Sequence, residues 1–240
     1  MTAWLVTRPE TDALPVAKAL EARGATAIVA PLMTIVDHAP PGFDGGDATG
    51  FLLTSANGAR ALARTAARRD LPVFAVGDGT AAAAREGGFL HVASAGGAVE
   101  DLASLVASSL SPSFGPLLHV AGTHLAGDLA ALLDEQGFTV RRERFYEARA
   151  VEALPAAAVE ALRDRAVEGV LLFSPRTAEV FVTLVGRAGL GGALQPLSAL
   201  CLSAAVARRL DDRAWGRIAI APRPDIAGML SLVDAPAIRP

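Results

Sequence analysis

Short apolar runs of strand length recur along this chain, each followed by a turn of Thr, Ser or Gly and then an Ala- and Leu-rich segment of helical period. That alternation is what βα units around a parallel sheet produce, because a strand covered by helices on both faces has no polar side to present. Strands are expected at residues 3–6, 26–30, 50–53, 73–76, 91–93, 117–120, 170–173, 199–202 and 217–221. Helices are expected from Pro9 to a stop at Gly24, then at 57–69, 80–86, 99–110, 124–136, 177–187 and 204–210. The punctuation has a physical basis: Pro at the first helical position gives up an N–H that has no partner there, and Gly closes a helix in the left-handed conformation.

Two stretches break the rhythm, since residues 31–41 and 140–151 read as extended with no helix where one is due. Both look like crossings between domains, and 240 residues suit two modest cores. The expected architecture is therefore α/β with a discontinuous first domain, 1–35 plus 150–240, and residues 38–145 inserted as the second. The linkers fall at about 36–38 and 145–150, and insertion is cheap where two linkers leave side by side.

Composition narrows the class. A hydrophobic fraction of 52% with 20% charged residues argues for packed cores over disorder. The net charge is −3, and the 22 basic residues, all but one Arg, are dispersed, so no nucleic-acid partner is expected. No apolar run approaches the ~20 residues needed to span a bilayer, and the first strand is too short for a signal segment. The expectation is a cytoplasmic protein with no membrane partner. Cys201 sits inside an apolar strand and reads as an inert buried thiol.

In open parallel sheets ligands bind beyond the carboxyl ends of the strands, where helix N-termini attract anions. The loops there read Thr7-Arg8-Pro9, Thr54-Ser55-Ala56-Asn57, Gly77-Asp78-Gly79-Thr80, Ala121-Gly122-Thr123, Ser174-Pro175-Arg176-Thr177 and Ser203-Ala204. Each hydroxyl has two readings, a helix cap or a ligand donor. Gly77-Asp78-Gly79 continues to Ala82 as G-x-G-x-x-A, but no acid follows the next strand to hold a ribose. The four His residues, His38, His91, His119 and His124, form no metal-binding spacing, and no Ser lies in a G-x-S-x-G turn. His91 and His119 are expected to be half-buried in strands, with His38 on the linker. Arg141, Arg142 and Arg144 form the one dense basic cluster, read as a solvated strand edge with Glu143. Tyr146, the chain's single tyrosine, lies in the second crossing segment, where its phenol either donates a proton into an interdomain cleft or packs the linker.

Val6-Thr7-Arg8-Pro9, Leu53-Thr54-Ser55-Ala56-Asn57-Gly58, Ala75-Val76-Gly77-Asp78-Gly79-Thr80-Ala81, Phe145-Tyr146-Glu147 and Phe173-Ser174-Pro175-Arg176-Thr177-Ala178, in that order, resemble the uroporphyrinogen-III synthase family. The collinear set spans almost the whole chain. The resemblance implies two flavodoxin-like parallel-sheet domains joined by a two-stranded linker. It also implies a monomeric, cofactor-free enzyme of porphyrin and heme biosynthesis, a lyase that closes hydroxymethylbilane to uroporphyrinogen III with loss of water and inversion of ring D in the cleft. The linear tetrapyrrole would be handed over from hydroxymethylbilane synthase. Residue by residue, it makes Tyr146 the candidate catalytic group, assisting departure of the hydroxyl. Thr7, Arg8, Ser55, Asn57, Gly77, Thr80, Ser174, Pro175, Arg176 and Ser203 fall on loops that bind or border the substrate. The last loop departs from the family pattern, reading Cys201-Leu202-Ser203-Ala204-Ala205 where relatives show Gly followed closely by Thr. Arg8 has a second reading as a structural tie for its own loop. The alternative function is a non-enzymatic two-domain module that binds small anions.

Overall fold

A computed structural model describes residues 2–65, 67–123 and 128–234. Its contacts divide the chain into two units, one of Met1–Thr34 with Arg149–Pro240 and one of Ile35–Ala148.

In the first unit, strands β1 (Ala3–Val6) and β2 (Thr26–Val29) flank helix α1 (Glu10–Glu21). The second unit begins within β3 (Met33–Asp37). It continues through β4 (Gly50–Leu53), α2 (Ala56–Ala63), β5 (Val73–Ala75), α3 (Asp78–Glu86), β6 (Val92–Ser94), α4 (Val99–Ser109), β7 (Leu117–Gly122), α5 (Leu129–Asp134) and most of β8 (Val140–Ala150). The chain then returns to the first unit with α6 (Ala156–Arg163), β9 (Gly169–Leu172), α7 (Pro175–Arg187), β10 (Ser198–Cys201), α8 (Ala204–Ala207), β11 (Arg217–Ile220) and α9 (Ile226–Ser231).

The first unit's five strands lie in the order β11-β10-β9-β1-β2, all parallel where they pair. Counted within the unit this is 2-1-3-4-5, a doubly wound sheet of the flavodoxin type whose direction of winding reverses between β1 and β9. The second sheet runs β3-β8-β7-β4-β5-β6. Its five parallel strands count as 3-2-1-4-5, with the reversal between β4 and β7. Strand β3 adds to β8 in the opposite sense: His38 N–H reaches Phe145 O while Val151 N–H reaches Leu32 O, so one strand rises as the other falls.

Both sheets are covered on both faces, which is why their strands read as unbroken apolar runs. In the first unit Leu5, Val170, Leu172, Ala199 and Cys201 pack on one face with Phe181 of α7. Trp4, Val6, Leu171 and Leu200 pack on the other with Val16 of α1 and Met229 of α9. In the second, Phe51, Leu53, Leu118 and Val120 meet α2 on one face, while Leu52, Phe74 and Leu117 meet α4 and α5 on the other.

Local signals placed most elements to within a few residues, with several differences. Helix α2 ends at Ala63 and not near residue 69, since Arg64 caps it and the chain turns. Helix α8 spans only four residues. Helices α6 and α9 were not anticipated, although Pro155 before three alanines and Asp225 capping Gly228 are start signals of the usual kind. His91 is exposed, outside β6, and His119 is 2% exposed, fully buried and not half-buried. The expected start of the fifth helix, His124, lies outside the described residues.

Candidate functional site

The chemistry-bearing residues named from sequence all sit at the carboxyl ends of parallel strands, in two groups that belong to different units. In the first unit Thr7 and Arg8 follow β1, Ser174, Pro175 and Arg176 follow β9, and Ser203 follows β10. In the second, Ser55 and Asn57 follow β4, Gly77 and Thr80 follow β5, and Tyr146 lies in β8 opposite the last residue of β7.

The first group is tied largely to itself. Thr7, 1% exposed, donates its hydroxyl to Leu171 O at 2.8 Å, joining β1 to β9 where the winding reverses. The Arg8 guanidinium lies 4.7 Å over the Phe173 ring and 3.6 Å from Asp12, so it too links the two strand ends. Ser174 caps α7 by accepting from Thr177 N at 3.1 Å and sits 2.8 Å from the Thr177 hydroxyl. Pro175 occupies the first helical position, and Arg176 beside it is half-buried, with no ion-pair partner among the described residues. Ser203 precedes α8 without making a side-chain cap.

The second group contains the chain's one phenol. Tyr146 Oη lies 2.7 Å from Ser55 Oγ, and Ser55 also caps α2 by accepting from Gly58 N at 3.1 Å. Asn57 Oδ1 accepts from Arg60 at 3.0 Å. Gly77 is the extended residue before α3, Thr80 is buried in its first turn, and Asp78 between them accepts from the Ser94 hydroxyl at 2.7 Å. A carboxylate already occupies that helix start.

Two backbone features place the phenol. Along β7 and β8 the pairing runs Val120 with Glu143 and Ala121 with Arg144, then jumps to Gly122 with Tyr146. Phe145 is the extra residue of a bulge, and the bulge puts Phe145 and Tyr146 on the same face of the sheet, both in the core against α2. Strict alternation would have turned Tyr146 to the opposite face. The second feature is Gly122, where a Cβ would lie 2.7 Å from the Tyr146 ring and 2.9 Å from its hydroxyl. Gly58 faces the ring from α2, its Cβ position 3.7 Å away. Neither glycine was a candidate from sequence. The turn at residues 121–123 was visible, but what approaches Gly122 is Tyr146 from the next strand, β8.

Around this point the electrostatics favour neutral donors. Burial raises the Tyr146 phenol above its usual value, with the Ser55 hydrogen bond pulling the other way, so the group is a neutral acid in neutral solution. His119, on the opposite face of β7, lies with Nε2 3.1 Å from the Thr54 hydroxyl. Burial, reinforced by the Arg142 guanidinium, lowers it from 6.5 to about 4. Arg142 is exposed and donates to Gly122 O at 3.2 Å. Arg141 pairs with Asp47 and Glu143 as a solvated strand face does, and His38 pairs with Glu147 at 3.3 Å. Thr123 Oγ1, one residue past β7, is buried without a hydrogen-bond partner among the described residues. Cys201 is fully buried and its thiol is pushed up to about 12, so it is not a nucleophile.

Among the described residues no cluster of three or more His, Cys, Asp or Glu is arranged to hold a metal ion. No helix among them is long and apolar enough to cross a membrane. What the site offers is a part-buried hydroxyl pair, a helix start and an exposed Arg, gathered where a doubly wound sheet reverses. That is equipment for proton donation and for holding carboxylates.

Comparison with known proteins gives a consistent answer. A family model described as uroporphyrinogen-III synthase HemD matches residues 15–231. No curated protein matches the sequence. Among solved structures, uroporphyrinogen-III synthetase from Helicobacter pylori superposes with a TM-score of 0.65 at 16% identity, covering 97% of this chain and 98% of the other. A mutant uroporphyrinogen III synthase from the extremely thermophilic bacterium Thermus thermophilus gives a TM-score of 0.55 at 18% identity, with 98% of each chain covered. At such identities the likeness speaks for the shared two-domain α/β fold.

Proposed function

Since the chain belongs to the uroporphyrinogen-III synthase family, we propose that it is a lyase of tetrapyrrole biosynthesis that cyclises hydroxymethylbilane to uroporphyrinogen III. The observation that carries this reading is the family match over residues 15–231. The placement of Tyr146 beside Ser55 and Gly122 supports the reading of its phenol as the acid.

The substrate is a linear tetrapyrrole carrying eight carboxylates, and the first event is loss of the hydroxyl from the ring A hydroxymethyl group. The C–O bond breaks with its electron pair leaving on oxygen, and the Tyr146 phenol supplies the proton that makes water. The cation left on the pyrrole methylene is attacked by the substituted carbon of ring D. The spiro intermediate fragments and recloses at ring D's free α-carbon, whose proton is lost on closure and restores the phenol. Unassisted closure gives the uninverted isomer, so holding the chain in the productive conformation matters as much as the acid.

Carboxylate binding is assigned in the first unit to half-buried Arg176 and the backbone N–H groups at the start of α7, and in the second unit to exposed Arg142. Thr7 and Arg8 serve this reading as supports, because both already hold β1 to β9. The reading also carries the expectations of a monomer working in the cytoplasm on substrate received from hydroxymethylbilane synthase. The test is incubation with enzymatically generated hydroxymethylbilane and chromatographic separation of uroporphyrinogen isomers I and III. Isomer III in excess of the enzyme-free control is expected, and isomer I alone would refute the proposal.

A further inference from the structure

Ser55 stands in a loop expected to touch substrate, yet its hydroxyl is occupied by the protein on both sides, taking Gly58 N–H at 3.1 Å and meeting Tyr146 Oη at 2.7 Å. We infer that Ser55 is a positioning residue for the Tyr146 phenol, the middle of a one-way hydrogen-bond chain that runs from the first turn of α2 through Ser55 to Tyr146 and ends on the substrate's departing hydroxyl. The inference rests on the reaction proposed above.

Either hydroxyl can donate in the 2.7 Å pair, and we assign the donor role to Ser55. Gly58 N–H is fixed by α2 and can only donate, so Ser55 Oγ is an acceptor on that side. Accepting from an amide polarises the Ser55 O–H and strengthens it as a donor toward Tyr146 Oη. The phenol's own O–H is then left pointing away from Ser55, available to a ligand. With the opposite arrangement, the Tyr146 O–H would be committed to Ser55 and the phenol could offer a substrate oxygen no proton. The surroundings hold the geometry: the ring is wedged between Gly58 and Gly122, where no side chain would fit on the Gly122 side, and the bulge at Phe145 keeps it on the α2 face.

During the reaction Ser55 gains and loses no proton. Tyr146 transfers its proton to the leaving oxygen, the resulting phenolate is stabilised by the Ser55 O–H and by the positive end of α2 behind it, and the proton lost from ring D returns to the phenolate. The helix supplies this charge stabilisation through Ser55, because the capping hydroxyl stands between its free N–H and the phenolate.

Tyr146 is the only tyrosine in the chain, so the near-ultraviolet absorbance of phenolate titrates this residue alone. Ser55→Gly removes the hydroxyl while keeping a residue that caps helices at small cost, and Ser55→Ala repeats the comparison in a second background. Both are expected to move the phenolate midpoint upward and to lower kcat roughly tenfold with KM little changed, as loss of one hydrogen bond to a developing charge should. Ser55→Thr, which keeps the hydroxyl, should restore both readouts. A midpoint that stays or falls in Ser55→Gly and Ser55→Ala would mean that the Ser55 hydroxyl does not stabilise the phenolate, and the inference would be overturned. A rise in KM with kcat unchanged would overturn it as well, marking Ser55 as a substrate contact. The titration needs no substrate, so an enzyme that yields only isomer I would sink the proposed reaction without altering what the phenol reports.

Discussion

Tyr146 shows how much a single side chain depends on its neighbours. Its hydroxyl meets Ser55 Oγ at 2.7 Å, and its ring rests on two glycines. Replacing it by Phe removes the hydroxyl proposed as the acid but leaves the packing, so Tyr146→Phe should lower kcat about tenfold, less than a general acid usually contributes, because substrate carboxylates can also deliver a proton. Steady-state kinetics with an unchanged thermal midpoint would check this, and an unaltered kcat would remove the acid role. Gly122→Ala is the complementary change. Its new methyl meets the ring at 2.7 Å, and the ring has α2 behind it, so we expect a loss of roughly 1–3 kcal/mol in urea denaturation together with a fall in kcat. In the Tyr146→Phe background the same substitution should cost activity little more.

At the scale of elements, the two sheets solve the same problem differently. In the first unit the ends of β1 and β9 are laced together by Thr7 and by Arg8 over Phe173. In the second, the Thr54 hydroxyl meets His119 across β4 and β7, and Tyr146 of β8 reaches Ser55 at the start of α2. Thr7→Val keeps the shape but leaves the buried Leu171 carbonyl without its donor, so a destabilisation of about 1–3 kcal/mol is expected from equilibrium unfolding. Isomer III should still be the product if Thr7 is a support and not a contact. The βα rhythm of the sequence located nearly every strand, because a strand buried on both faces must be apolar throughout. The bulge was not legible. Phe145 and Tyr146 look like two successive residues of any strand, and only the partner strand reveals that one of them is extra.

For the whole molecule the clearest lever is acid. His119 binds a proton at about 4 when folded and at 6.5 when unfolded, so between those values the unfolded chain holds more protons. Stability should therefore fall as pH drops from about 6.5 toward 4, by about 3 kcal/mol from this residue, and level off below. Urea unfolding as a function of pH, compared with His119→Gln, would show it; an identical slope in the variant would assign the acid sensitivity elsewhere.

The sequence by itself determined the α/β class, the two helix-less stretches that became β3 and β8, the family, and the hydroxyl- and Gly-bearing loops at the carboxyl ends of the strands. These are properties of local pattern: apolar period, capping residues and the order of short motifs survive in one dimension. What those loops do was decided only by tertiary structure. Thr7, Ser55 and Ser174 read alike as hydroxyls before helices, yet one closes a sheet, one meets a phenol and one caps its helix. The reason is that a hydroxyl's partner is set by whichever strand or helix packs beside it, and for Ser55 and Tyr146 that partner lies 91 residues away in the chain.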